Sequence, residues 1–218
     1  MKTWMEIKLE HCRANGVGVA RRITGGGAIF FDEGQLGWEL VFKRAHLGIG
    51  DLGTAAKRIC EAAASGLAQL GIEAKYRPRN DIEVGGQKIC GTGGFFDGDV
   101  LFYQGTLLID MNPQDMVAVL NVPKAKLEKR NLDDAAQRVT TLRALMGDDL
   151  PNLETIKASM LDGFRERLEI DVAEGVVDAA EDHLAQEIHD DEIGTDAFVA
   201  SIDGQHDQTG TLSATHTG

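Results

Sequence analysis

The sequence predicts an α+β fold, a mixed β-sheet with helices packed against it. Three observations carry that expectation. Short apolar runs broken by glycines fill the first 110 residues, one segment of clear helical spacing lies among them, and further helical stretches follow.

In chain order, Val17–Arg22 and Ala28–Phe31 flank the break Gly25-Gly26-Gly27 and read as strands joined by a glycine loop; Trp38–Phe42 reads as another strand. From Asp51 onward, Ile59, Ala62, Ala63, Gly66, Leu67 and Leu70 recur at helical spacing, and Gly71 stands where a C-terminal cap belongs. Ile72–Tyr76 reads as a strand. Asp81–Val84 and Gln87–Cys90 read as a hairpin turning on Gly85-Gly86, since paired glycines supply the positive φ angles of a tight primed turn. Leu101–Asp110 is a longer strand, and Asn112–Leu120 and Leu153–Leu168 are helices. Val176–Ile188 reads as an acidic helix with Val177, Ala180, Leu184 and Ile188 on one face. Gln205–Gly218 is polar and is expected to form a disordered tail. No internal repeat occurs.

A chain of 218 residues, 43% hydrophobic, suits one domain with at most a small appendage. It has no run of 18 apolar residues, so no transmembrane helix is expected. The first residues mix charges early without an apolar signal core, which makes the cytoplasm the expected location. Cys12, Cys60 and Cys90 are widely spaced and form no CxxC pair, so neither a disulfide framework nor a zinc site can be read from them. The net charge of −13 is unevenly placed: residues 148–218 hold 18 acidic and 3 basic side chains, residues 1–147 hold 17 acidic and 19 basic. The acidic third repels nucleic acid, whose binding rests on phosphate neutralisation by Lys and Arg, and it reads as a solvated face. Neither nucleic acid nor membrane is expected as a partner.

Three segments carry chemistry. Arg21-Arg22-Ile23-Thr24-Gly25-Gly26-Gly27 lets backbone N–H groups approach an anionic or amide-bearing ligand, with two arginines adding positive charge; a purely structural turn has the same composition. It is no P-loop, because no Gly-Lys-Ser/Thr follows at the needed spacing. Arg79-Asn80-Asp81 leads into the hairpin, whose return strand holds Lys88 two residues before Cys90 and three before Gly91. A lysine fixed there is costly without an anionic partner, unless the strand is a solvated edge. Tyr103-Gln104-Gly105-Thr106-Leu107-Leu108 has the pattern of a core strand.

Together, and in this order, these segments resemble the lipoate–protein ligase family within the biotin/lipoate ligase and octanoyltransferase superfamily. Ala136-Gln137-Arg138-Val139-Thr140-Thr141-Leu142 adds a fourth matching piece, so the resemblance covers roughly residues 10–170. It implies the fold of that superfamily and an ATP-dependent ligase that activates lipoate as lipoyl-AMP and transfers it to a lysine of a lipoyl-domain acceptor protein. By the same resemblance Arg22, Thr24, Gly25, Gly26 and Gly27 line the lipoyl pocket and close over the adenylate, while Asn80 and Asp81 sit near the nucleotide phosphates. Asp81 is the implied ligand of a magnesium ion, Lys88 the catalytic cation against the lipoate carboxylate and α-phosphate, and Gly91, Gln104 and Gly105 complete the binding set.

The sequence departs from the family at two positions: Phe31 and Gln104 stand where histidines are usual. Gln104 keeps hydrogen-bonding capacity but cannot act as acid or base. The expected organisation is a catalytic domain over residues 1–170, shorter at its start than the usual domain by ~50–60 residues that wall the apolar sheet. A small accessory helical segment over 171–204 and a tail over 205–218 follow. Two other functions fit the same motifs, an octanoyltransferase using a cysteine nucleophile (Cys90 being the nearest thiol) and a non-catalytic paralogue that binds lipoate or the acceptor. A biotin ligase does not fit, because the Gly-Arg-Gly-Arg loop is absent.

Overall fold

The structure, a computed structural model, describes residues 6–121 and 136–201; the tail expected at 205–218 lies outside them. Eight α-helices and five strands are described: α1 (Leu9–Ala14), β1 (Gln35–Lys43), α2 (Arg44–Leu47), α3 (Leu52–Gln69), β2 (Lys75–Arg77), β3 (Asp81–Val84), β4 (Gln87–Asp97), β5 (Val100–Leu108), α4 (Pro113–Val119), α5 (Leu142–Met146), α6 (Leu153–Leu168), α7 (Ala179–Ile188) and α8 (Asp196–Ala200).

The strands form one antiparallel sheet in the order β1-β5-β4-β3-β2. Among the described residues the parallel component is a single bridge, Lys88 to Val139. One face of the sheet is covered by α3, which in turn packs against α6. The core lies there, with Ile59, Leu67, Ile82, Ile89, Cys90, Leu107 and Ile156 all sealed from solvent.

Local chemistry explains the best-defined elements. The Asp51 carboxylate accepts the Thr54 N–H at 2.9 Å and so caps α3. At its other end Gly71 N–H donates to Ala68 O and Ile72 N–H to Leu67 O, the paired bonds of a Schellman stop. The helix pair is close because both partners are bare at the crossing: a Cβ on Gly66 would lie 2.6 Å from Ser159 O, and one on Gly163 2.5 Å from Ala62 O. The β3–β4 hairpin turns on Gly85 and Gly86, with φ of +58° and +84°, as the glycine pair predicts.

Four expectations need correction. Val17–Arg22 and Ala28–Phe31 are not strands. Among the described residues no ladder meets them, and the carbonyls around the glycine break are taken by the Arg22 side chain instead. The strand expected at Ile72–Tyr76 is the shorter Lys75–Arg77, because Ile72 is consumed in the stop of α3. The hairpin's return strand runs past Cys90 to Asp97, through Gly91, Gly93 and Gly94, which weaken any strand reading. The acidic helix starts at Ala179 rather than Val176: Asp178 and Glu181 form a capping box, and the apolar face ahead of it stays exposed.

Candidate functional site

The strand β4 organises the site. Asp81 pairs with Gly91, and Ile82 pairs with Cys90, but Glu83 pairs with Lys88, so Ile89 is an extra residue on β4. Side chains alternate along a strand, so Lys88 and Cys90 should share a face. The bulge at Ile89 breaks this parity. Ile89 and Cys90 both turn into the core beneath α3, and Lys88 turns to the opposite face, where Asp81 is.

Lys88 Nζ lies 2.8 Å from Asp81 Oδ1, and Arg77 Nη2 lies 2.8 Å from Asp81 Oδ2. Arg77 also holds Glu83. The expected anionic partner of Lys88 is therefore present within the chain. Gly91 is what lets the lysine lie down along the strand, since a Cβ there would meet Nζ at 2.6 Å and Cε at 2.7 Å. The backbone of Lys88 is fixed from its other side by the segment after residue 136: its N–H donates to Arg138 O at 2.8 Å, and Thr140 N–H donates to its carbonyl at 2.9 Å. Gln87 adds bonds to Gln137 O and Val139 O.

The glycine loop folds around Arg22. Its guanidinium donates to Thr24 Oγ1 at 2.7 Å, to Gly27 O at 2.8 Å and to Gly25 O. Gln104 Nε2 donates to the same Thr24 hydroxyl at 2.7 Å, which ties the loop to β5. The loop's position over β4 follows from Gly93, where a Cβ would stand 3.9 Å from both Arg22 Nη1 and Gly25 O. Gly91 and Gly93 are same-face neighbours roughly 7 Å apart along the strand. The lysine end and the arginine–glycine end thus meet on one glycine-floored stretch of sheet, with Lys88 and its carboxylate Asp81 at one end and Arg22 at the other. That arrangement suits a ligand with neighbouring negative charges.

Most of the residues singled out in the sequence come together here: Arg22, Thr24, Gly25, Gly26, Gly27, Asp81, Lys88, Gly91 and Gln104. Two are otherwise engaged. Gly105 is on the core face, its Cβ position filled by the Trp38 indole. Asn80 turns its amide to the backbone, donating to Thr92 O at 2.9 Å. Arg77 was not foreseen; its pairing with Asp81 and Glu83 depends on the register of β2 against β3, which no local pattern shows.

The described residues include no group of three or more side chains fit to hold a metal ion. A magnesium ion brought with phosphates needs only one or two carboxylates, and Asp81, paired with Lys88 and Arg77, is a carboxylate on this stretch. The cysteines offer little nucleophilic chemistry. All three are buried, and burial pushes the Cys90 thiol up to about 12 and raises Cys60 as well.

With this geometry in view, residues 1–165 match the family model described as the lipoyl protein ligase A/B catalytic domain. The lipoate-protein ligase LplJ of Bacillus subtilis is 34% identical over 149 residues, which are 68% of this chain and 44% of that protein; the chain thus spans less than half the length of that relative. Among solved structures, a chain from the bi-partite lipoate protein ligase of Thermoplasma acidophilum, studied with its E2 lipoyl domain, superposes with a TM-score of 0.81 at 26% identity, covering 92% of this chain and 77% of that one. A lipoate-protein ligase A bound with ATP superposes at 0.80 with 25% identity, covering 92% and 78%.

Proposed function

This chain belongs to the lipoyl protein ligase A/B catalytic-domain family, and from that premise we propose that it activates lipoate with ATP and transfers the lipoyl group to a lysine of a lipoyl-domain acceptor protein. The observation that carries the reading is the Lys88–Asp81 pair set on the same bare stretch of β4 as the Arg22–Thr24–Gln104 loop.

In the first step a lipoate carboxylate oxygen attacks the α-phosphorus of ATP, and pyrophosphate leaves. Charge concentrates on the carboxylate and the α-phosphoryl oxygens as they approach. Lys88 exchanges its bond to Asp81 for one to these oxygens, and a cation already in place at the point of developing charge stabilises the transition state. Arg22 holds the loop in the shape that presents Gly25–Gly27 to the ligand, and Thr24, gripped by Gln104, fixes it to the sheet. In the second step the acceptor's amine attacks the acyl carbon of lipoyl-AMP and AMP leaves. Lys88 again faces the oxygen that gains charge. Asp81 is the residue that would hold a magnesium ion, which would supply charge neutralisation to the triphosphate.

The segment expected at 171–204, described to residue 201, is read as a small appendage to the catalytic domain expected at 1–170. Support comes from Arg21, the neighbour of Arg22, whose guanidinium donates to Val199 O at 3.3 Å and to Ser201 O. A reducing, cytoplasmic setting agrees with three unpaired cysteines. Octanoyl transfer through a thiolate finds no support in cysteines that are all buried and, for Cys60 and Cys90, held in the thiol form.

The test incubates the chain with an apo lipoyl domain, lipoate, ATP and magnesium, and reads the acceptor by mass. A lipoyl shift that needs ATP and falls by at least about a thousandfold in rate in Lys88→Ala is the expected result. Modification from octanoyl carrier protein without ATP replaces the reading with octanoyl transfer. A folded protein that binds lipoate and forms no adenylate replaces it with a non-catalytic role.

A further inference from the structure

A hydrogen-bonded chain of buried side chains runs from α3 through the sheet to the Arg79–Asp81 turn, and the reaction above leaves it unused. Cys60, Thr92 and Tyr103 are 0%, 8% and 1% exposed. The Tyr103 hydroxyl and Thr92 Oγ1 are 2.7 Å apart, Cys60 Sγ lies 3.5 Å from both, and Thr92 Oγ1 is 3.0 Å from the Asn80 carbonyl.

The proton inventory gives this chain a direction. A carbonyl only accepts, so the single Thr92 hydroxyl proton goes to Asn80 O. The bond between the two hydroxyls must then use the Tyr103 proton, and the oxygens left over accept from the Cys60 thiol. Burial keeps both outer members in their neutral, proton-bearing forms, raising the Cys60 thiol and the Tyr103 phenol alike.

At its far end the chain grips a turn. Thr92 N–H donates to Asn80 O at 2.8 Å, and Asn80 Nδ2 donates back to Thr92 O at 2.9 Å, so three bonds join these two residues. Arg79, just before Asn80, has a φ of +105°, a conformation that a non-glycine residue keeps only where its surroundings enforce it. Asp81, just after Asn80, is the partner of Lys88. Valine and phenylalanine would fill the same core volume at Thr92 and Tyr103. What the hydroxyls add is a directed bond onto the backbone that carries the site.

We propose that Thr92 and Tyr103 are positioning residues, which lock the Arg79–Asn80 turn and thereby set the Asp81–Lys88 pair for adenylate formation. The proposal rests on the ligase reading above and deepens it.

The test uses the full chain with Thr92→Val, Thr92→Ser and Tyr103→Phe. Lipoate-dependent exchange of pyrophosphate into ATP supplies kcat and both KM values, and amide hydrogen exchange is followed at Asp81 and Ile82. Thr92→Val is expected to lower kcat about ten- to a hundredfold while KM for lipoate stays within about twofold. Thr92→Ser keeps the hydroxyl and should recover to within about threefold of the parent. Tyr103→Phe, which loses the outer link only, should fall by about three- to tenfold and serves alone if Thr92→Val does not fold. Amide exchange at Asp81 and Ile82 should quicken in the order of the kcat losses. A Thr92→Val protein with a lowered melting temperature but unchanged kcat overturns the proposal, and so do equal losses in Thr92→Val and Thr92→Ser. Should the parent chain show no pyrophosphate exchange, the ligase reading fails, while the amide measurement still decides whether the hydroxyl chain locks the turn.

Discussion

The helices α3 and α7 carry the same local signals and end in opposite circumstances. Each opens on a capping aspartate: Asp51 accepts from Thr54, and Asp178 accepts from Ala180 and Glu181. Each has apolar residues recurring at helical spacing. Yet α3 buries nine residues and α7 buries none. The apolar row of α3 is mostly alanine and glycine, with Ile59 and Leu67 set among them, so α6 can approach to backbone contact while the sheet closes the other side. The row of α7 is Leu184 and Ile188 amid acidic neighbours, and both stay partly exposed. Caps and periodicity specify that a helix forms; burial needs a facing surface of matching shape.

The sharpest way to probe this contrast is truncation of one apolar residue in each helix. Ile59→Ala removes a fully buried side chain between helix and sheet and should cost about 2 to 5 kcal/mol in denaturant unfolding. A loss below about 1 kcal/mol would mean that the α3 face tolerates a gap and is not the packed element described here.

An intermediate effect is expected from acid. Bonds from the Thr54 N–H and hydroxyl hold the Asp51 carboxyl below its ordinary 3.8. A folded-state pKa that is depressed contributes stability fully present above the unfolded value and lost as pH falls through the folded one. Melting temperature between about pH 5 and pH 2 should therefore drop further for the parent than for Asp51→Asn, which caps without a charge. Parallel curves would show that the charge at this cap does not matter.

The smallest effect belongs to α7. Leu184→Ala should leave global stability within about 0.5 kcal/mol, because the side chain is more than half exposed. A clear loss would show that α7 has a partner surface in solution and would end the contrast with α3.

Much of the fold was legible where its information is local. The span of α3, the glycine turn of the β3–β4 hairpin and the full length of α6 follow from caps, spacing and positive φ alone. The segments flanking the glycine loop misled because apolar, β-branched residues promise a strand only if a neighbour offers a ladder. Here Arg22 meets the loop's carbonyls instead. Within the site, the order of motifs marked Arg22, Asp81 and Lys88 as one set, and the three lie along one face of β4. It placed Gly105 there too, although that glycine makes room for Trp38 on the core side.

What the sequence by itself determined is therefore the identity of the chemical groups and the elements that carry them, because capping, turn and spacing rules act within a few residues. Which face those groups reach was decided only by the tertiary structure. Strand parity places Lys88 beside Cys90 in the core. The extra residue at Ile89 turns it outward, since the surface under α3 takes both Ile89 and Cys90, and a strand that buries two successive side chains must slip by one. The Asp81–Lys88 pair exists because of that slip.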